Sequence, residues 1–156
     1  MSDTSSTPGV EGQAAARQAP QSLRVFVVED NRDSLLSVLL LLRSHGHDAV
    51  GVTSAKEFWA RVDGFRPQVV LLDITLPDES GYSICQQFLR KLPHGAQRPV
   101  MVALTAWGKA SDRILAQLSG FDHHVAKPYE PNTLLGLIDG VAAGMVSGFK
   151  DATLPG

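Results

Sequence analysis

The sequence predicts a three-layer, doubly wound α/β domain, and three observations carry that prediction. Short, nearly continuous apolar runs alternate with segments of helical period. The runs lack the in-out alternation of a half-solvated sheet, so their strands are buried on both faces, as in a parallel sheet. Each run is followed by a helical segment, the spacing that right-handed crossovers require.

The first strand is read at residues 23–28 (Leu23, Arg24, Val25, Phe26, Val27, Val28), the third at 69–72 and the fourth at 100–104. Weaker runs at 48–52 and 122–125 supply strands two and five. In the first helix every residue from Leu35 to Leu42 except Ser37 is apolar. Val38, Leu41 and Leu42 are expected to point inward, with Leu36 and Leu40 nearer solvent and Leu39 between faces. Ser54 to Glu57 reads as a capping box for the second helix, whose stripe is Ala55, Phe58, Trp59 and Val62. Ile84, Cys85, Phe88, Leu89 and Leu92 form the stripe of the third, and Ile114, Leu115 and Leu118 that of the fourth. Pro131 suits the first turn of the last helix, with Leu134, Ile138, Val141 and Met145 as its stripe.

The chain has 156 residues, 44% of them apolar and 19% charged, with a net charge of −2; this is one soluble domain with a real core. No basic run exceeds Arg90-Lys91, which argues against nucleic acid as a partner. No membrane span or secretion signal is legible, so a cytoplasmic protein is expected. Cys85 is the single cysteine and reads as a reduced thiol on an apolar helix face. Residues 1–21 read as a flexible N-terminal extension, 22–146 as the domain and 147–156 as a short frayed C-terminal tail.

Functional groups in such sheets collect at the carboxyl ends of the strands. Those ends carry Glu29 and Asp30 after strand one, Asp73 after strand three, Thr105 after strand four, and Lys127-Pro128 after strand five. Carboxylates brought this close repel one another unless a cation compensates, and an all-oxygen set suits Mg²⁺ beside a phosphate. Taken alone, Glu29-Asp30 reads as a solvated turn; with Asp73 and Lys127 at matching ends, the metal reading is stronger. Asp73 can attack phosphorus if metal and the Lys127 ammonium neutralise the transferring oxygens. Thr105 would donate its hydroxyl, and loop amides would complete the cradle.

Four motifs stand in order at these ends: Val27-Val28-Glu29-Asp30-Asn31, Leu71-Leu72-Asp73 through Pro77 to Gly81, Ala103-Leu104-Thr105-Ala106, and Val125-Ala126-Lys127-Pro128. With them the chain from about Leu23 to Met145 resembles the receiver (CheY-like) domain of bacterial two-component response regulators. The resemblance implies a flavodoxin-like strand order 2-1-3-4-5. It implies Mg²⁺ held by Asp30, Asp73 and the Thr75 backbone carbonyl with help from Glu29, and Asp73 as phosphoacceptor from a phosphohistidine. The donor would be a histidine kinase or histidine phosphotransfer protein. Thr105 and Lys127 would contact the phosphoryl oxygens, with Thr75 and Ala106 as phosphoryl amides. The Lys127–Pro128 bond is expected to be cis. Glu29 stands where many members carry Asp. Such a domain would be no enzyme beyond catalysing its own phosphorylation and dephosphorylation, and it could form a phosphorylation-dependent dimer.

His124, three residues before the lysine, has two readings: a surface imidazole, or a switch residue that moves inward with Thr105. Trp107 reads as loop packing or as a shield for Asp73. Leu36 and Leu40 read as part of a wide core stripe or as a docking patch for the donor's helical bundle. His45 and His47 flank the first helix's C-terminus, a normal place for a partly cationic side chain. Among rival classes, a haloacid-dehalogenase-type phosphatase needs an acid two residues after the nucleophile, where this chain has Thr75. A flavin or nucleotide site would be repelled by Glu29-Asp30, and a degenerate receiver conflicts with the complete set of groups.

Overall fold

A computed structural model describes residues 22–106, 110–144 and 150–151. The elements run β1 (Arg24–Val28), α1 (Arg32–Ser44), β2 (Asp48–Val52), α2 (Ala55–Phe65), β3 (Val69–Asp73), α3 (Gly81–Lys91), β4 (Val100–Thr105), α4 (Ala110–Leu118), β5 (His123–Ala126), α5 (Pro131–Ala142) and β6 (Lys150–Asp151). All paired strands are parallel, in the order β2-β1-β3-β4-β5-β6. The first five therefore stand in the order 2-1-3-4-5. The sixth is an addition: it lies inside the segment expected to be a frayed tail. Residues 1–21, Trp107 and Met145 lie outside the described residues.

Because successive strand residues face opposite ways, the sheet builds two cores. Phe26, Val28, Val70, Leu72, Met101 and Ala103 pack under α2 and α3 with Phe58, Ile84, Cys85 and Phe88. Phe58 stands edge-on to both Phe26 and Phe88, with centroids 5.2 and 5.6 Å apart. On the other face Val25, Val27, Val69, Leu71, Val102, Leu104 and Val125 meet α1 and α5. Helix starts are set locally: the Asn31 side chain accepts from the Ser34 amide, Ser54 from the Glu57 amide, and Pro131 opens α5. Among the described residues no helix is long and apolar enough to cross a membrane.

Four expectations need correction. Ile114, Leu115 and Leu118 do not face the core; they are 58%, 46% and 75% exposed, and α4 rests on the sheet through buried Ala116. In α1, Leu39 is buried and Leu41 only half-buried, while Leu35, Val38 and Leu42 complete the inward face. Leu36 and Leu40 are outward, as expected. His124 is no surface imidazole: both it and His123 are buried in β5. His47 is buried too, and its Nδ1 accepts the Leu23 amide at 3.1 Å. Burial, with His45 nearby, holds its pKa below the ordinary value against the pull of Asp139, so it is neutral rather than partly cationic.

Candidate phosphoryl and metal site

β1 and β3 are neighbours in register, so Glu29 and Asp73 emerge side by side at the carboxyl edge. Glu29 prolongs β1, its amide bonding to the Val52 carbonyl. Asp73 closes β3 opposite Leu104, which places Thr105 one residue beyond that pair. The loop after β5 returns Lys127 to the same edge; its amide donates to the Thr105 carbonyl at 2.7 Å, and the Lys127–Pro128 peptide is cis.

Lys127 joins the two buried carboxyls, with Nζ 2.5 Å from Glu29 Oε1 and 3.1 Å from Asp73 Oδ2. Asp73 Oδ1 accepts from the Thr75 amide at 2.9 Å and from its hydroxyl at 3.1 Å. Glu29 Oε2 accepts from the Asn31 amide at 3.1 Å. Burial raises the pKa of Glu29, and the adjacent Asp73 adds to this against Lys127 and the Asn31 amide. Burial pushes Asp73 upward as well, but the Thr75 amide, Glu29 and Lys127 outweigh it and hold the carboxyl below its usual range. Asp73 is thus the more readily ionised of the pair, as a nucleophile requires. Burial works against the Lys127 charge, yet Glu29 and Asp73 together raise its pKa.

Ligand oxygens of Glu29, Asp30 and Asp73 lie within 4.8 Å of one another. Glu29 Oε1 is buried and receives no hydrogen bond, only the ion pair with Lys127. Three carboxyl groups share this edge with one ammonium, an acidic excess that a divalent cation balances. The set is all oxygen, with Asp30 exposed and open to hydrated ligands. This donor set fits Mg²⁺.

The sequence-derived residues are distributed unequally. Glu29, Asp30, Asp73, Thr75 and Lys127 are brought together by contact or distance. Thr105 is buried at the end of β4, and exposed Ala106 lines a groove of about 750 Å³ together with Glu29 and Lys127. His124 lies one layer down, opposite Ala103 and on the same sheet face as Thr105. Leu36 and Leu40 sit on the outer face of α1, while its Ser34, Ser37 and Leu41 line that groove. Tyr129 was missed. It lines the groove too, and burial with Glu29 close by pushes its hydroxyl up to about 12 despite Lys127. Its position two residues past Lys127 was the available signal.

Residues 25–139 match the family model of the response regulator receiver domain. The chain is 27% identical over 121 residues to Protein PilH of Pseudomonas aeruginosa, covering 78% of this chain and 98% of PilH. It is 32% identical over 112 residues to the DNA-binding response regulator MtrA of Mycolicibacterium smegmatis, covering 72% of this chain but only 47% of that protein. Among solved structures, a putative response regulator from Chloroflexus aurantiacus superposes with a TM-score of 0.70 at 25% identity, covering 79% of this chain and 99% of that one. The chain belongs to the response regulator receiver domain family.

Proposed function

We propose that Asp73 is the phosphoacceptor of this receiver and that the carboxylate cluster holds Mg²⁺ during transfer. The observation that carries the reading is Lys127 bridging buried Glu29 and Asp73 beside exposed Asp30. Glu29, Asp30 and Asp73, with the Thr75 backbone carbonyl, would hold the ion. When bound, it supplies positive charge to the transferring phosphoryl oxygens. The Asp73 carboxylate attacks phosphorus, the bond from phosphorus to the imidazole nitrogen of a donor phosphohistidine breaks, and that ring, already protonated on its other nitrogen, keeps the electron pair and departs as neutral imidazole. Lys127 shares its ammonium with the phosphoryl oxygens as Asp73 loses its own charge. The Thr105 hydroxyl and the Thr75 and Ala106 amides donate to the same oxygens. His124, buried on the Thr105 face, follows that hydroxyl as the switch residue.

The donor is read as a histidine kinase or histidine phosphotransfer protein in the cytoplasm. It would dock its helical bundle on Leu36 and Leu40, which stand 57% and 67% exposed on α1, the helix whose Ser34, Ser37 and Leu41 line the groove shared with Glu29 and Lys127. The chain catalyses no reaction but its own phosphorylation and dephosphorylation. A phosphatase of the aspartate-nucleophile type is disfavoured because Thr75, two residues on, offers only an amide and a hydroxyl to Asp73.

The test is incubation with Mg²⁺ and acetyl phosphate, followed by intact mass. One phosphoryl group should be added, and it should be lost in Asp73→Asn and with a chelator. An adduct that survives Asp73→Asn on a folded chain would refute the assignment.

A further inference from the structure

The loop that follows Asp73 is tied at its tip as well as at its base. At the base, the Ile74 amide donates to the Leu104 carbonyl at 3.1 Å and the Gly81 amide to the Ile74 carbonyl at 2.9 Å, while Thr75 bridges Ser80 in antiparallel fashion. At the tip, Asp78 accepts the Ala55 and Lys56 amides of α2 at 3.0 Å each. Glu79 accepts the Trp59 indole N–H at 3.1 Å, the Ser83 hydroxyl at 2.9 Å and the Gln87 side-chain amide at 2.8 Å. We propose that Asp78 and Glu79 are positioning residues for the metal site. They latch the loop to α2 and α3, and so fix the Thr75 backbone, whose carbonyl is assigned to the ion, relative to the end of β1 that carries Glu29 and Asp30. The inference rests on the Mg²⁺ reading above and adds to it the residues that preorganise the ion's place.

Two features direct these contacts at the loop rather than at the helices. First, α2 has a cap of its own. Ser54 Oγ accepts the Glu57 amide at 3.2 Å, and Glu57 reaches back to the Thr53 amide at 3.0 Å. Asp78 takes the Ala55 and Lys56 amides that this cap leaves over. Second, every carboxylate oxygen of Asp78 and Glu79 has a donor from α2 or α3, and neither acid belongs to the cluster of Glu29, Asp30 and Asp73. Their charge is spent on holding the loop. Trp59 is in turn fixed, with its ring edge-on to Phe58 at 5.1 Å and Lys91 Nζ 4.5 Å from its centre.

The latch also closes a path between the two strand ends. β2 leads into α2, and the Glu29 amide donates to the Val52 carbonyl at 3.1 Å, so the start of α2 is held to the end of β1. Asp78 then ties that start to the loop after β3. Thr75 itself is exposed, and exposed loop backbone is ordinarily mobile. Mg²⁺ tolerates little departure from octahedral geometry, so a ligand carbonyl that wanders by a fraction of an ångström weakens the site. A tip fastened to two helices removes that freedom beforehand.

The experiment titrates Mg²⁺ into the full, unphosphorylated chain by isothermal titration calorimetry. With Asp78→Ala and Glu79→Ala together, the dissociation constant should rise by roughly tenfold or more. Glu79→Gln alone keeps an acceptor for the indole and should bind as the parent does. Glu57→Ala, which weakens the cap of α2 without touching the loop, should do the same. An unchanged constant in the folded double variant overturns the latch. So does an equal rise in Glu57→Ala, because the effect would then belong to the stability of α2. A parent chain that binds no Mg²⁺ overturns instead the metal reading on which the latch rests. Amide exchange in the presence of a chelator reads the loop without any ion. The Thr75 and Gly81 amides should exchange about tenfold faster or more in the double variant, with β4 amides unchanged, and equal protection refutes the latch.

Discussion

At Gly81 a Cβ would lie 2.5 Å from the Asp73 carbonyl oxygen and 2.8 Å from Ile74 Cα. Those neighbours are backbone, so a side chain there displaces the end of β3 itself. Gly81→Ala is expected to cost about 1–3 kcal/mol in denaturant melts and to slow phosphoryl uptake at Asp73. Gly64→Ala, where a Cβ meets nothing within 4 Å, is the control and should be neutral or stabilising. His47 gives a separate residue-level expectation. Its folded pKa lies below the ordinary value, so the unfolded chain takes up the proton first as pH falls below 6.5. Stability should therefore decline as pH falls below 6.5, and His47→Gln should flatten that slope in urea melts. Cys85 is inert by contrast: burial raises its thiol to about 12.

Helix starts and helix faces decide matters at the next scale. The Asp78 carboxylate reaches from the loop after β3 to the first turn of α2, accepting the Ala55 and Lys56 amides at 3.0 Å each. Those two amides hold its pKa below the usual carboxylate range. A depressed folded pKa means stabilisation present above the unfolded value of 3.8 and lost as pH falls through the folded one. Asp78→Ala should lower stability at neutral pH by about 1 kcal/mol or less, since the group is exposed. The deficit should vanish in acid melts. α1 and α4 show why apolar content alone does not orient a helix. α1 buries Leu35, Val38, Leu39 and Leu42 and still presents Leu36 and Leu40, whereas α4 buries Ala116 alone between Ser111 and Leu118 and presents its three largest apolar residues.

Across the whole molecule, the site edge and α1 share one groove. The groove from Ser34, Ser37 and Leu41 reaches Tyr129 and Lys127, the ammonium that bridges Glu29 and Asp73. Leu40→Glu should change stability by no more than about 0.5 kcal/mol, because the side chain is already solvated. Its uptake from acetyl phosphate should match the parent, while transfer from a phosphohistidine protein should slow by roughly tenfold. Equal transfer rates from that protein would remove the docking role. The β6 edge lies on the far side of β5 from the other strands.

The sequence alone determined the α/β alternation, the five-strand order through its resemblance, and the strand-end residues of the site. Apolar runs report two-sided burial, and parallel strands carry their carboxyl ends to one edge. Helical period names the residues that share a face but not the direction of that face, so the outward stripe of α4 became visible only against its neighbours. The burial of His47, His123 and His124 was hidden because the polarity of an imidazole says nothing of the strands around it. β6 left no signal, being two charged residues held by backbone pairing. The double ion pair of Lys127 belongs to the tertiary structure as well. It exists because a loop after β5 returns one ammonium to two carboxyls from strands far apart in the chain, a distance that only folding closes.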